Sequence, residues 1–226
     1  SIYAAINGGL SISSNNGTNW TNYTTANGLG NNSVYGVYAG GSSIYAATGG
    51  GLSISTNNGS NFTNYTTTND LGGNIVVGVY ASGSSIYAAT RPVGSAGGLS
   101  ISTNNGSNWT TYTTSNGLGS NSVAGVYASG SNIYAATSNG LSVSTDNGSN
   151  WSNYTTSNGL ADNDVYNVYV LGSNIYAATD GGLSISSNGG TAWTNYTTSD
   201  GLGADSVSDV YVSGSSTYAA TGGGLS

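Results

Sequence analysis

Six residue types never occur in this 226-residue chain: Lys, Glu, His, Cys, Met and Gln. Arg91 is the single cation and all eight acids are Asp, giving a formal net charge of −7. Charged residues make up 4% of the chain, against roughly 25% in ordinary globular domains. Each absence excludes something. Neutralising phosphates takes several Lys or Arg side chains, so nucleic acid and anionic membrane surfaces are not expected partners. Without Cys there is no disulfide frame and no thiolate metal site, although this reports nothing about compartment. Without His or Cys, Ser–His and Cys–His nucleophiles and His-ligated metals cannot be built. No apolar run approaches the ~18 residues needed to cross a bilayer, so no membrane insertion is expected. Neither a signal peptide nor a starting Met is present, which reads as a mature or excised segment. The surface must be made of Ser, Thr, Asn and Gly, a mixture that points to an extracellular or cell-surface setting.

What is present is a repeat. The segment SIYAAINGGLSIS at Ser1 returns in close variants at Ser43, Ser85, Asn132, Asn174 and, truncated, Ser216, with spacings of 42, 42, 47, 42 and 42 residues. The long spacing holds a five-residue insertion within residues 91–96, which reads as an elongated hairpin. Each unit predicts four short strands: A (33–39), B (43–48), C (52–56) and D (61–67) in the second copy. β-Branched and aromatic residues fill them and Gly, Asn and Ser separate them. The links GGS, GGG and NNGS are of hairpin length, and Asn-Gly favours tight turns because both residues tolerate positive φ. No helical periodicity is visible. Four strands in 42 residues is the size of a propeller blade. The expectation is an all-β, single-domain β-propeller over residues 1–226, of four-stranded antiparallel blades, five in number with six as the alternative. In the five-blade reading, residues 206–212 supply the strand A that the first unit lacks.

The C–D turns, SISTNNGSNF at 53–62 and STDNGSNW at 144–151, resemble the Asp-box of sialidase-type (BNR) propellers. The B–C region YAATDGGLSIS at 176–186 is similar to the two-component-regulator propeller repeat. The resemblance implies that the box is a structural fold-back. Its acidic position maps to Asn15, Asn57, Asn104, Asp146 and Asn188, of which Asp146 alone keeps the family's Asp. Its aromatics map to Trp20, Phe62, Trp109, Trp151 and Trp193 and imply packing between blades, with sugar stacking as the rival role.

Sialidase chemistry is excluded by inventory. The family's site needs an arginine triad and a Tyr–Glu pair, and this chain has one Arg and no Glu. A glycosidase carboxylate pair has Asp162, Asp164, Asp180, Asp200 and Asp205 to draw on, with no cation nearby in sequence to separate their pKa values. The GGG turns join strands and lack the Lys and helix of a phosphate cradle. The chain is therefore expected not to be an enzyme.

In a propeller, D–A and B–C loops share one rim. That rim would carry Asp70, Asp162, Asp164, Asp180, Asp200, Asp205 and Arg91, and Arg91, Asp162, Asp164, Asp180, Asp200 and Asp205 form the candidate ligand-binding set. Against this stands the plainer reading that scattered Asp residues solubilise a neutral surface and favour turns. No cofactor is required; Asp162, Asn163 and Asp164 form a candidate oxygen-only calcium site. On strand A, Gly36, Gly78 and Gly125 give way to Asn167 and Asp209. Two Tyr sets recur, at 3, 45, 87, 134, 176 and 218 and at 38, 80, 127, 169 and 211. They read as packing with wet hydroxyls, and Tyr-, Asn- and Ser-rich surfaces also suit carbohydrate and protein recognition. Asn-x-Ser/Thr sites are dense: Asn16, Asn19, Asn22, Asn31, Asn58, Asn61, Asn64, Asn105, Asn108, Asn147, Asn150, Asn153 and Asn195. In a glycosylating source some carry glycans. The functional expectation is a recognition or adhesion module for glycans or surface proteins. The alternative is a structural repeat of a surface layer, stalk or filament, with self-association.

Overall fold

The computed structural model describes every residue except Ser95. The chain forms two compact units, Ser1–Tyr112 and Thr113–Ser226. The first holds three antiparallel sheets, ordered along the chain. They are β1 (Ile2–Ile6), β2 (Gly9–Ser13) and β3 (Thr21–Tyr23); β4 (Val34–Gly40), β5 (Ser43–Thr48), β6 (Gly51–Ser55) and β7 (Thr63–Tyr65); and β8 (Ile75–Ser82), β9 (Ser85–Val93), β10 (Ala96–Ser102) and β11 (Thr110–Tyr112). The second unit also holds three: β12 (Val123–Ser129), β13 (Asn132–Thr137), β14 (Gly140–Ser144) and β15 (Ser152–Tyr154); β16 (Val165–Leu171), β17 (Asn174–Thr179), β18 (Gly182–Ser186) and β19 (Thr194–Tyr196); and β20 (Val207–Ser213), β21 (Ser216–Thr221) and β22 (Gly224–Leu225).

The fold is an all-β propeller of four-stranded antiparallel blades. Six sheets occur among the described residues, the larger of the two counts that the sequence allowed. The sharing of residues 206–212 with the first unit does not occur. β20 pairs with β21 through a local turn, with Val207 opposite Thr221, and β1 opens a three-stranded sheet of its own. A hairpin closes a far shorter loop than a pairing across the whole chain, so its entropic cost is lower.

In the four-stranded sheets both central strands are covered on both faces, so their residues are buried without alternation, whereas β1 and β21 of the three-stranded sheets are largely half-buried or exposed. Ala46, Ala47 and Leu52 are 0% exposed. Within the first unit, Tyr45, Ala47, Leu52 and Ile54 pack against Leu71, Val76, Ile86, Ala88 and Trp109 of the following repeat. Within the second, Tyr134, Ala136, Leu141 and Val143 pack against Leu160, Val165, Val168, Val170 and Ile175. Small Ala residues let neighbouring sheets come close while Leu and Ile fill the gap.

Polar groups are buried in the same seams, and they are paired. Ser53, on β6, is fully buried. Its Oγ accepts the Gly30 amide at 3.0 Å and donates to Asn64 Oδ1 at 2.6 Å, while Asn64 Nδ2 donates to the Gly28 carbonyl at 2.9 Å. The loop leaving β3 is thereby clamped onto β6 and β7. Ser142 and Asn153 repeat the relay on Gly119 and Gly117, and Ser184 and Asn195 repeat it on Ala161 and Gly159. In the third sheet Thr111 takes the Asn place beside Ser100. The loop must pass close to the sheet, and a Cβ on Gly30 would lie 2.9 Å from the Gly50 carbonyl oxygen.

Two local expectations are corrected. Strand D, read as 61–67, is only Thr63–Tyr65. The residues after it form a one-turn 3-10 helix, Thr67–Asn69, where no helix was expected. Thr66 is its N-cap, and Asn69 Oδ1 accepts the Thr66 amide at 3.1 Å. Such side-chain-to-backbone bonds compete with the sheet ladder. Equivalent turns stand at Thr25–Asn27, Thr114–Asn116, Thr156–Asn158 and Thr198–Asp200.

Replacing Ser142 with Ala leaves the Gly119 amide without its acceptor in a buried seam. The variant is expected to lose about 1–3 kcal/mol. Urea unfolding checks this against Ser129→Ala, an exposed change expected to stay within about 0.5 kcal/mol.

Candidate functional site

The loops entering β16 and β20 carry most of the candidate acids, and three of these serve as backbone anchors. Asp200 Oδ2 accepts the Thr197 amide at 3.0 Å, the bond that Asn27, Asn69, Asn116 and Asn158 make in the other repeats. Asp205 Oδ1 accepts the Thr198 amide at 2.7 Å, where other repeats place Asn32, Asn74, Asn121 and Asn163. That bond holds the Asp205 carboxyl below its ordinary value of 3.8. Asp162 Oδ1 accepts the Asp164 amide at 2.8 Å. Of the calcium candidates, Asp162 and Asn163 thus spend a side-chain oxygen on a backbone donor. Among the described residues no group of three or more acidic side chains converges as a metal site.

Asp180 is different. It stands on the turn between β17 and β18, where the second repeat has Gly49. Its Oδ1 accepts the Tyr166 hydroxyl at 3.0 Å and the Ser206 hydroxyl at 2.8 Å. Tyr166 belongs to β16 and Ser206 directly precedes β20, so one carboxylate joins two neighbouring sheets of the second unit. Burial, followed by the hydrogen bond and negative charge of Asp180 and the charge of Asp164, raises the Tyr166 phenol above its usual 10.0. The phenol stays protonated and donates across the physiological range. Asp164 and Asp180 are exposed, and Tyr166 and Ser206 are half-buried. Together they form a polar, solvent-reachable group in which the repeat pattern breaks.

In the first unit, Arg91 is exposed near the end of β9, opposite Ile75 of β8. Among the described residues its side chain makes no ion pair. The insertion at 91–96 is an elongated β9–β10 hairpin, with Ala96 opposite Val93; its Ser95 lies outside the described residues. Asp70 ends the 3-10 turn at φ 69°, where four other repeats place Gly.

At the C–D turns, Ser55 Oγ accepts the Gly59 amide at 2.9 Å and Asn57 Oδ1 accepts the Asn61 amide at 3.0 Å. Asn15, Asn104, Asp146 and Asn188 repeat the second bond. Asp146 adds a bond from Asn150 Nδ2 at 2.7 Å, which leads the causes that lower its pKa. The aromatics wedge between sheets edge to face: Phe62 on Tyr23 at 5.9 Å, Trp109 on Tyr65 at 5.8 Å and Trp193 on Tyr154 at 6.0 Å. Trp109 is buried, Phe62, Trp151 and Trp193 are half-buried, and Trp20 is 47% exposed with its Nε1 on the Gly17 carbonyl.

Two sets of residues that the repeat pattern had marked on strand A meet across sheets, a pairing the sequence reading did not foresee. The Tyr38 and Tyr80 rings meet at a tilt, 5.0 Å apart, in the first unit, and Tyr127, Tyr169 and Tyr211 meet tilted and edge to face at 5.5 and 5.4 Å in the second. These ladders stand toward the A–B turn ends of the strands, away from the acidic loops; the 42-residue recurrence of Tyr was their only signal. Asn167 Nδ2 also donates to Asp209 Oδ1, linking bulged positions of β16 and β20.

No family model and no curated protein matches the chain. Solved structures do. An extracellular domain assigned to the hybrid two-component system BT3049 of B. thetaiotaomicron is similar over 99% of this chain and 31% of its own length, at TM-score 0.82 and 18% identity. An ancestral GH74 enzyme is similar over 90% of this chain and 30% of its own, at TM-score 0.69 and 21% identity. YCF48 bound to D1 peptide is similar over 97% and 71%, at TM-score 0.66 and 18% identity. The chain thus spans under a third of the first two structures. At these identities the likeness carries the propeller fold alone. Among the described residues no helix is long and apolar enough to cross a membrane.

Replacing Asp205 with Asn keeps the anchor to Thr198 and removes the titration. A carboxyl lowered in the folded state contributes stability above its ordinary value of 3.8 that is lost as pH falls below it. Thermal melts of parent and Asp205→Asn are therefore expected to run parallel at neutral pH. Below pH 3.8 the parent should lose stability more steeply.

Proposed function

We propose that this chain is a non-catalytic, extracellular recognition or adhesion module whose ligands are glycans or surface proteins. The observation that carries the reading is the Tyr166–Asp180–Ser206 group. Repeats that differ little elsewhere here present a carboxylate, a protonated phenol and a hydroxyl on one solvent-reachable loop face. Such a set offers the second carboxylate oxygen and the two hydroxyl oxygens as acceptors to sugar hydroxyls or peptide N–H groups, without a strong field. It is poorly suited to acid–base catalysis. Asp200 and Asp205 are occupied as loop anchors. The names of two similar structures, one an extracellular domain and one bound to a peptide, agree with this direction. The Ser–Asn/Asp turn bonds support reading the C–D turns as Asp-boxes with Asn in the acidic place. No cofactor is required.

A structural role in a surface layer, stalk or filament is the second reading. It is favoured by the regularity of the repeats and of the Tyr ladders.

A glycan array, with surface-protein extracts as a second panel, tests the first reading. Saturable binding is expected, weakened roughly tenfold by Asp180→Ala and less by Tyr166→Phe, in line with loss of a charge-assisted hydrogen bond. Absence of binding, together with ordered self-assembly under electron microscopy, would replace it with the second.

A further inference from the structure

The thirteen Asn-x-Ser/Thr sites are alike as sequence and unlike in place. Asn22, Asn64, Asn153 and Asn195 lie in or at the fourth-strand position of their sheets. Their Nδ2 groups donate to the carbonyls of Gly8, Gly28, Gly117 and Gly159. Asn61 and Asn108 are followed by Phe62 and Trp109, which wedge between sheets, so the middle residue of the triplet is held in the seam. Asn150 Nδ2 donates to Asp146 Oδ2, and Asn19 leads into the sheet ahead of Trp20, off the turn tip. Asn31 is engaged through its Oδ1, which accepts the Ser33 amide.

Asn16, Asn58, Asn105 and Asn147 stand apart. They sit at the tips of the C–D turns with φ of 55°, 56°, 55° and 58°. All four are exposed, and so are the hydroxyl residues two places on: Thr18, Ser60, Ser107 and Ser149. Among the described residues no hydrogen bond engages their carboxamides. The backbone beneath is fixed. The amides of Asn58, Asn105 and Asn147 donate to the carbonyls of Ser42, Ser84 and Ser131, and the next glycine amides donate to the Ser55, Ser102 and Ser144 hydroxyls. Each of these repeats thus holds one rigidly mounted, outward carboxamide in an acceptor triplet. Its neighbouring glycine nitrogen is tied up and cannot attack the side chain to deamidate it.

We infer that Asn16, Asn58, Asn105 and Asn147 are N-glycan acceptor sites. The inference rests on the extracellular reading. In the transfer, Asn Nδ2 bonds to the anomeric carbon of a polyprenyl-phosphate-linked glycan. The carbon–oxygen bond to phosphate breaks, the lipid phosphate leaves, and Nδ2 gives up one proton to the transferase; nothing is oxidised or reduced. Four hydrophilic chains on one set of turns would solvate a surface that has almost no charge of its own. The fifth blade lacks the site because Gly189 replaces the tip Asn ahead of Gly190 and Thr191.

The test supplies a secretory leader in a host that N-glycosylates, so that export does not depend on where the protein naturally resides. Glycopeptide mass spectrometry of the secreted chain is expected to find Asn16, Asn58, Asn105 and Asn147 occupied. Asn64, Asn153 and Asn195 should be bare, and Asn58→Gln should remove one glycan. Gly189 has φ 70° and nothing within 4 Å of a built Cβ, so Gly189→Asn should add a glycan without disturbing the turn. Secreted chain with bare tips, occupancy of the strand asparagines equal to that of the tips, or no gain in Gly189→Asn overturns the assignment. None of these outcomes bears on ligand binding or on the natural location of the protein.

Discussion

A buried serine hydroxyl in the third strand of a blade sets the terms for much of the structure. Ser53, Ser142 and Ser184 each accept a loop amide and donate to an Asn carboxamide, which in turn reaches a loop carbonyl. Three polar groups that would each be costly to bury alone satisfy one another. The relay brings the loop close enough for Leu29, Leu118 and Leu160 to enter the core. With almost no charge available, neutral hydrogen bonds do the orienting that ion pairs do in other proteins. They also lose less to desolvation.

The same economy explains the loops. Thr caps a single 3-10 turn, Asn or Asp closes it, and a second Asn or Asp holds its first amide. Asp can replace Asn at these positions because the backbone N–H asks only for an acceptor. Acidic residues on the loop face are therefore a mixture of anchors and free groups, which composition alone does not separate. Asp200, Asp205 and Asp162 anchor, whereas Asp180 bridges side chains and re-tunes a phenol.

A repeat concentrates information about packing and dilutes information about sites. The inner copies of the aromatic, the Leu and the paired Ala answer to one kind of seam, so period and strand pattern were legible from spacing. A site announces itself where copies diverge, and divergence by one atom pair, Asn to Asp, has both bland and functional causes. The turn tips show the converse: Asn58 and Asn64 carry equivalent acceptor triplets and are both exposed, yet the Asn64 carboxamide holds a carbonyl and the Asn58 carboxamide stands at a turn tip.

The sequence by itself determined the all-β class, the 42-residue unit, the hairpin turns and the chemistry that one Arg and no His, Cys or Glu cannot perform. These follow from residue inventory and from local propensities that act over a few bonds. It misjudged the length of strand D and missed the 3-10 turns, because Thr and Asn side chains compete there for the backbone over a seven-residue reach. Only the tertiary structure decided which strand β20 joins, which acids anchor loops, that Tyr166, Asp180 and Ser206 converge, and which asparagine carboxamides hold a carbonyl. Each of these depends on which groups meet across neighbouring sheets, and partners 14 to 42 residues apart leave no trace in a local pattern.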